Sequence, residues 1–213
     1  MTALKFASLL ILAYLVGSFP TGVLIGKIFF HKDIRDYGSG NIGTTNTFRV
    51  LGKKAGIFVF LVDFFKGTLA TSLPIIFKLD APHWVCIIFG LAAILGHAFS
   101  IFLKFKGGKA VATSAGFILG YNLQFFLICA VIFIPLLFLT STVSITSLIS
   151  VVLIFIASLF FHDTALSIMS FGLVVLIFWS HRSNIKRIIS GNENMVHFGL
   201  YYHLKKSKAN KNK

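Results

Sequence analysis

Acid is almost missing from this chain. Its 213 residues hold six Asp and Glu together, with Glu193 the only glutamate, against twenty Lys and Arg, for a formal net charge of +14. Only 12% of the residues are charged and 56% are hydrophobic, where a soluble domain carries about 25% charged residues. That shortage excludes a soluble core with an anchor and points to an integral membrane protein. The excess of base does not read as nucleic-acid binding, because the charges gather in short loops and the tail rather than over a solvated face. Topology and contact with anionic lipid account for them instead. Cysteine is scarce too. Cys86 and Cys129 both fall inside apolar runs without metal-ligand spacing, so they read as small buried hydrophobes. The first residues lack a strongly basic start and the apolar run continues past Gly17, which favours a first transmembrane helix over a cleaved leader.

Hydrophobic segments fall at about 4–30, 55–78, 83–103, 111–122, 124–140, 144–161 and 164–180, against the roughly 20 residues that a bilayer crossing needs. The 111–122 piece is short, and GSFPTG at 17–22 marks a kink or break in the first segment. Sixteen of the twenty basic residues lie in 31–54, 104–110 and the tail from 182, which the positive-inside rule puts in the cytoplasm. Parity of crossings between those regions then predicts an all-α membrane protein of about seven transmembrane helices. The N-terminus is outside and the C-terminus inside. A single polytopic domain over 1–198 is followed by a basic cytoplasmic tail, 199–213.

Three polar motifs interrupt the hydropathy. In HKDIRDYGSGNIGTTNTFRVLG (31–52), Gly38, Gly40 and Gly43 let backbone N–H groups converge on an anion. Ser39, Asn41, Thr44, Thr45 and Asn46 add neutral donors, and Arg49 adds a fork suited to phosphate. In GHAFSIFLKFKGGKAVAT (96–113), His97 lies near a helix end, and Lys104, Gly107, Gly108 and Lys109 precede the next apolar helix, whose N-terminus favours phosphate. GxxxxGK[ST] is absent. In HRSNIKRIISGNEN (181–194), His181, Asn184 and Glu193 stand out, while Lys186 and Arg187 need no role beyond lipid contact. Ser144 sits at the remaining cytoplasmic turn. Asp63 and Lys66 are spaced i,i+3 on one helix face inside a hydrophobic segment; the sequence leaves open whether they form a structural ion pair or serve the site.

These motifs, with GSFPTGVLIGK at 17–27, resemble the bacterial membrane acyltransferases that use acyl phosphate to acylate glycerol 3-phosphate. The resemblance covers about 17–194. It is expected to place Pro where Ser100 stands and Gly where Ala110 stands, and nothing beyond about 198 carries its signature. It implies transfer of a fatty acyl group from acyl phosphate to the 1-hydroxyl of glycerol 3-phosphate, giving 1-acylglycerol 3-phosphate and phosphate, the first acylation of phospholipid synthesis. It further implies that neither acyl-CoA nor acyl carrier protein serves as donor and that no metal or other cofactor is needed. The implied partners are the two substrates, membrane lipid and, functionally, the enzyme that forms the acyl phosphate. The implied place is the bacterial inner membrane, with the active site on its cytoplasmic face. Ser39, Arg49, His181 and Asn184 are expected to act in the reaction. Asn41, Gly43, Thr44, Thr45, Asn46, His97, Lys104, Gly107, Gly108, Lys109 and Ser144 are expected to bind substrate, with Glu193 holding the fold.

Three other readings compete, of which a passive anionic-lipid-binding scaffold leaves the three motifs unexplained. His31 and Asp36 form an HxxxxD pattern like that of acyl-CoA-dependent enzymes, but no neighbouring nucleophile supports it. A transporter for organophosphates would place charge at the bilayer midplane and show inverted repeats. Here the motifs lie at one surface.

Overall fold

The structure is a computed structural model that describes residues 2–211; Asn212 and Lys213, the end of the expected tail, lie outside the described residues. Eleven α-helices are described: α1 Ala3–Ser18, α2 Thr21–Phe30, α3 Thr44–Leu51, α4 Lys53–Ile76, α5 Val85–Ala98, α6 Val111–Tyr121, α7 Leu123–Thr140, α8 Val143–Ser158, α9 Thr164–Ser180, α10 Arg182–Ile189 and α11 Leu200–Lys211. Every expected apolar segment is helical. By length and composition four helices can cross a membrane, or six if each bent pair is one crossing, and Val111–Tyr121 is shorter. At 1.5 Å per residue this 11-residue helix reaches about 16 Å, roughly half a hydrocarbon core.

The chain divides into two compact units at residue 123. In the first, α1, α4 and α5 share a core of Leu9, Ala13, Ala70, Leu73, Val85, Phe89 and Ala93. Helices α4 and α6 pack through facing glycines. A Cβ on Gly67 would overlap the Thr113 carbonyl, and one on Gly116 the Phe64 carbonyl, so the two backbones meet directly, as small residues allow between helices in lipid. A second cluster, Val23, Ile34 and Ile42, has Leu51 and Leu103 packed against it and seats the first motif beside the second.

The expected break in the first segment is present: α1 and α2 meet at 47°. Pro20 lacks an N–H and pushes Phe19 out of helical geometry, to ψ 118°. The freed carbonyls find partners from other elements. Ser18 O accepts from Ser100 Oγ at 2.6 Å, and Phe19 O accepts from Lys66 Nζ at 3.0 Å and from Thr21 N at 3.1 Å.

In the second unit α8 packs on α9, with Ser167 Oγ donating to Ser158 O at 3.1 Å, and Asp163 caps α9 by accepting from Leu166 N at 2.9 Å. The chain turns by 61° between α9 and α10. The segment before α11 is tied to the α7–α8 turn, where buried Ser141 accepts from Val196 N (2.8 Å) and Tyr202 N (3.0 Å).

Candidate active site

The first motif is a braced loop. Asn46, buried on the first turns of α3, donates to Ile34 O (2.9 Å) and Tyr37 O (3.1 Å) and accepts from Ser39 N (2.8 Å). Both amide hydrogens are therefore engaged by the chain itself, so Asn46 shapes the loop rather than offering an amide to a ligand. Asn41 does similar work, its Oδ1 accepting from Gly43 N at 2.9 Å. These bonds leave the half-buried Ser39 side chain on a fixed backbone, with Thr45 and Arg49 exposed on α3. Thr44 Oγ1, in the first turn of α3, is buried without a hydrogen-bond partner. Arg35 is not part of an anion site, because its guanidinium is engaged by Asp33 at 2.8 and 2.5 Å. That contact holds the Asp33 carboxyl well below the usual carboxylate range and raises Arg35 further. His31 and Asp36 are exposed, and no hydrogen bond or ion pair is described between them, which removes the geometric support for the HxxxxD reading.

The second motif folds back on the end of α5. Gly107 N donates to Ala98 O (3.1 Å) and Gly108 N to His97 O (3.0 Å). A Cβ on Gly107 would overlap both carbonyls, and one on Gly108 would overlap His97 Nε2, so the close approach needs glycine at both places. Lys104 and Phe105 are left-handed (φ 52° and 60°), as is Ala110 (φ 59°) just before α6. The left-handed backbone at 110 explains why glycine is expected there: the alanine Cβ is strained by about 1–2 kcal/mol. Ser100 has φ −65°, the value that proline imposes, but its hydroxyl adds the bond to Ser18 O that proline cannot make. Ser100→Ala should therefore lower stability by about 1–3 kcal/mol by leaving a buried carbonyl short of a donor, as thermal unfolding in detergent would report. Ser100→Pro should lose less, because it stiffens the unfolded chain.

Behind this motif lies a buried polar node. Asp63 Oδ1 accepts from Lys66 Nζ (2.7 Å) and Thr21 Oγ1 (3.1 Å), and His97 Nδ1 stands 3.8 Å from it with no hydrogen-bond partner of its own. The sequence question at 63 and 66 is answered in part: the two are an ion pair, both nearly inaccessible. Sequence reasoning missed Thr21 as a partner, and its only signal was a threonine beside the predicted break.

In the second unit Glu193 is a clasp. It accepts from Ser144 Oγ (2.9 Å), Asn184 Nδ2 (2.8 Å) and Arg187 Nε (2.8 Å). Ser144, expected to line a substrate cavity, has its hydroxyl hydrogen engaged by this carboxylate. Arg187, read as lipid contact alone, is Glu193's ion-pair partner; a lone acid among bases was the available signal. His181 is 1% exposed, and its Nδ1 lies 2.9 Å from Ile177 O. A carbonyl only accepts, so Nδ1 carries the hydrogen. The structure thus brings the first two motifs together in one unit, and Ser144, His181, Asn184 and Glu193 lie in the other.

Residues 7–191 match the family model described as glycerol-3-phosphate acyltransferase. The chain belongs to the glycerol-3-phosphate acyltransferase family. Glycerol-3-phosphate acyltransferase 2 of Lactobacillus acidophilus is 78% identical, covering 96% of this chain and 97% of that one. The protein of the same description from Lactobacillus johnsonii is 62% identical over 97% of this chain and 95% of its own. Among solved structures, PlsY (YgiH), an integral membrane glycerol 3-phosphate acyltransferase, in its glycerol 3-phosphate form has a TM-score of 0.83 and 35% identity, covering 94% of this chain and 98% of that one. Its lysophosphatidic acid form has a TM-score of 0.76 and 34% identity, covering 90% and 95%. The chain is therefore a multi-pass membrane acyltransferase of this bacterial family.

Proposed function

We propose that this enzyme moves a fatty acyl group from acyl phosphate to the 1-hydroxyl of glycerol 3-phosphate, giving 1-acylglycerol 3-phosphate (lysophosphatidic acid) and phosphate. The observation that carries the reading is the match over nearly the whole chain to PlsY, an enzyme solved with glycerol 3-phosphate in one structure and lysophosphatidic acid in another. The local chemistry agrees. Both substrates are phosphorylated, and the two glycine-rich motifs lead into the N-termini of α3 and α6, whose first backbone N–H groups favour phosphate, with Arg49, Lys104 and Lys109 as cations. Acyl phosphate is already an activated mixed anhydride, so no enzyme nucleophile is required. The hydroxyl oxygen forms a bond to the acyl carbon, the bond from that carbon to the phosphate oxygen breaks, and the phosphate leaves with the electron pair. A phosphate oxygen takes the hydroxyl proton. Positioning and neutralisation of developing negative charge supply most of the rate.

In this reading Ser39, Arg49, His181 and Asn184 act on the reacting groups. Asn41, Gly43, Thr44, Thr45, His97, Lys104, Gly107, Gly108 and Lys109 form or support the substrate site, Asn46 and Ser144 contribute through the loops they brace, and Glu193 holds the fold. Seven crossings, with the short α6 among them, put the N-terminus outside and the motifs on the cytoplasmic face of the inner membrane. Residues 1–198 form the catalytic domain and 199–213 a basic tail, and an enzyme that makes acyl phosphate works upstream. Analysis of the product from glycerol 3-phosphate and palmitoyl phosphate tests the chemistry. It should show one inorganic phosphate released for each ester formed at carbon 1. Ester formation without phosphate release would overturn the acyl-phosphate chemistry, and a pH–rate profile whose required group vanishes in His181→Ala or His97→Ala would overturn the proposed proton route.

A further inference from the structure

The buried ion pair of α4 has no place in the reaction just described, yet its contacts lead to the second motif. We infer that Asp63 and Lys66 are positioning residues for the Gly107–Gly108 segment, acting through His97. Packing alone does not ask for such a pair, since replacing both members of a buried ion pair by apolar residues of similar volume is often neutral or stabilising. What leucine and methionine could not supply is direction. Lys66 Nζ is fixed at both ends, by Asp63 Oδ1 at 2.7 Å and Phe19 O at 3.0 Å, and Thr21 Oγ1 holds the same carboxylate oxygen at 3.1 Å. The carboxylate is thereby anchored to the broken first helix and presented 3.8 Å from His97 Nδ1, a buried nitrogen with no hydrogen-bond partner. One edge of the ring faces this negative oxygen. The other edge, Nε2, fills the space that a Gly108 side chain would take. The carbonyls of His97 and Ala98 hold the amides of Gly108 and Gly107 at 3.0 and 3.1 Å. The ring and the two carbonyls are thus one seat for the segment that carries Lys109 towards α6, and a turn of the ring changes that seat.

The kinetic part of this inference rests on the acyl-transfer reading; the structural part does not. Asp63→Leu combined with Lys66→Met removes both charges without stranding either, so the melting temperature should stay near that of the parent. In that double variant, amide exchange over 103–110 should quicken about 10-fold or more while α5 upstream stays protected. The KM for at least one of the two phosphorylated substrates should rise about 10-fold. Parental exchange over 103–110 and parental KM values for both substrates in the folded variant would show the pair to be structural only. If the parent protein turns over neither substrate, the acyl-transfer reading fails, and the exchange measurement still decides the role of the pair. Should the double variant fail to fold, Thr21→Val, which keeps the size and both charges and removes only the bond that anchors the carboxylate, carries the same two readouts.

Discussion

Gly107→Ala should lower turnover about 100-fold, because a displacement near 1 Å at a reacting site is enough for a loss of that size. The added Cβ cannot be absorbed by a side-chain rotation, since its two nearest obstacles are the carbonyls of His97 and Ala98 at the end of α5. Those carbonyls hold the segment through Gly107 N and Gly108 N, so relief of the clash breaks the bonds that place Lys109. Overpacking at such a point also costs about 1–3 kcal/mol of stability. Gly108→Ala should be milder, because its obstacle is the end of the His97 ring, which can turn at the expense of its orientation towards Asp63. Steady-state kinetics of the two variants beside the parent, with melting temperatures to separate activity from folding, test the order. Equal losses would argue against the backbone explanation.

Lys66→Met should cost about 3–5 kcal/mol of stability, the usual effect of leaving one member of a buried pair without the other. The Asp63 side chain is 3% exposed, and without Lys66 its charge has only Thr21 and, at 3.8 Å, His97. Phe19 O keeps the bond from Thr21 N, so the loss comes mainly from the stranded carboxylate rather than from the carbonyl. The exposed Lys54→Met, one helical face away on α4, should stay within about 0.5 kcal/mol of the parent. Thermal unfolding in detergent measures both. A destabilisation of Lys66→Met no larger than that of Lys54→Met would mean that losing Lys66 does not strand the Asp63 carboxylate.

The helices were largely legible because apolar runs in lipid leave the backbone one way to satisfy its hydrogen bonds. The expected segments 111–122 and 164–180 are the helices Val111–Tyr121 and Thr164–Ser180, and GSFPTG holds the bend between α1 and α2. The three motifs were legible by composition. Their internal wiring was not, since hydrogen bonds between residues 42 and 47 positions apart, such as Thr21 to Asp63 and Lys66 to Phe19 O, leave no local pattern. For the same reason Asn46 read as a donor for substrate when its amide is turned inward on the loop. Arg187 read as surface charge because its partner Glu193 lies beyond a turn whose path only the fold reveals. The positive φ of Ala110 gives a physical reason for the glycine expected there.

The most direct measurement is the donor preference of the purified protein in lipid, with radiolabelled glycerol 3-phosphate and either palmitoyl phosphate or palmitoyl-CoA. The proposed chemistry predicts labelled lipid from palmitoyl phosphate alone, abolished in Ser39→Ala and in Arg49→Ala with the fold retained. Labelled lipid from palmitoyl-CoA and none from palmitoyl phosphate would contradict it.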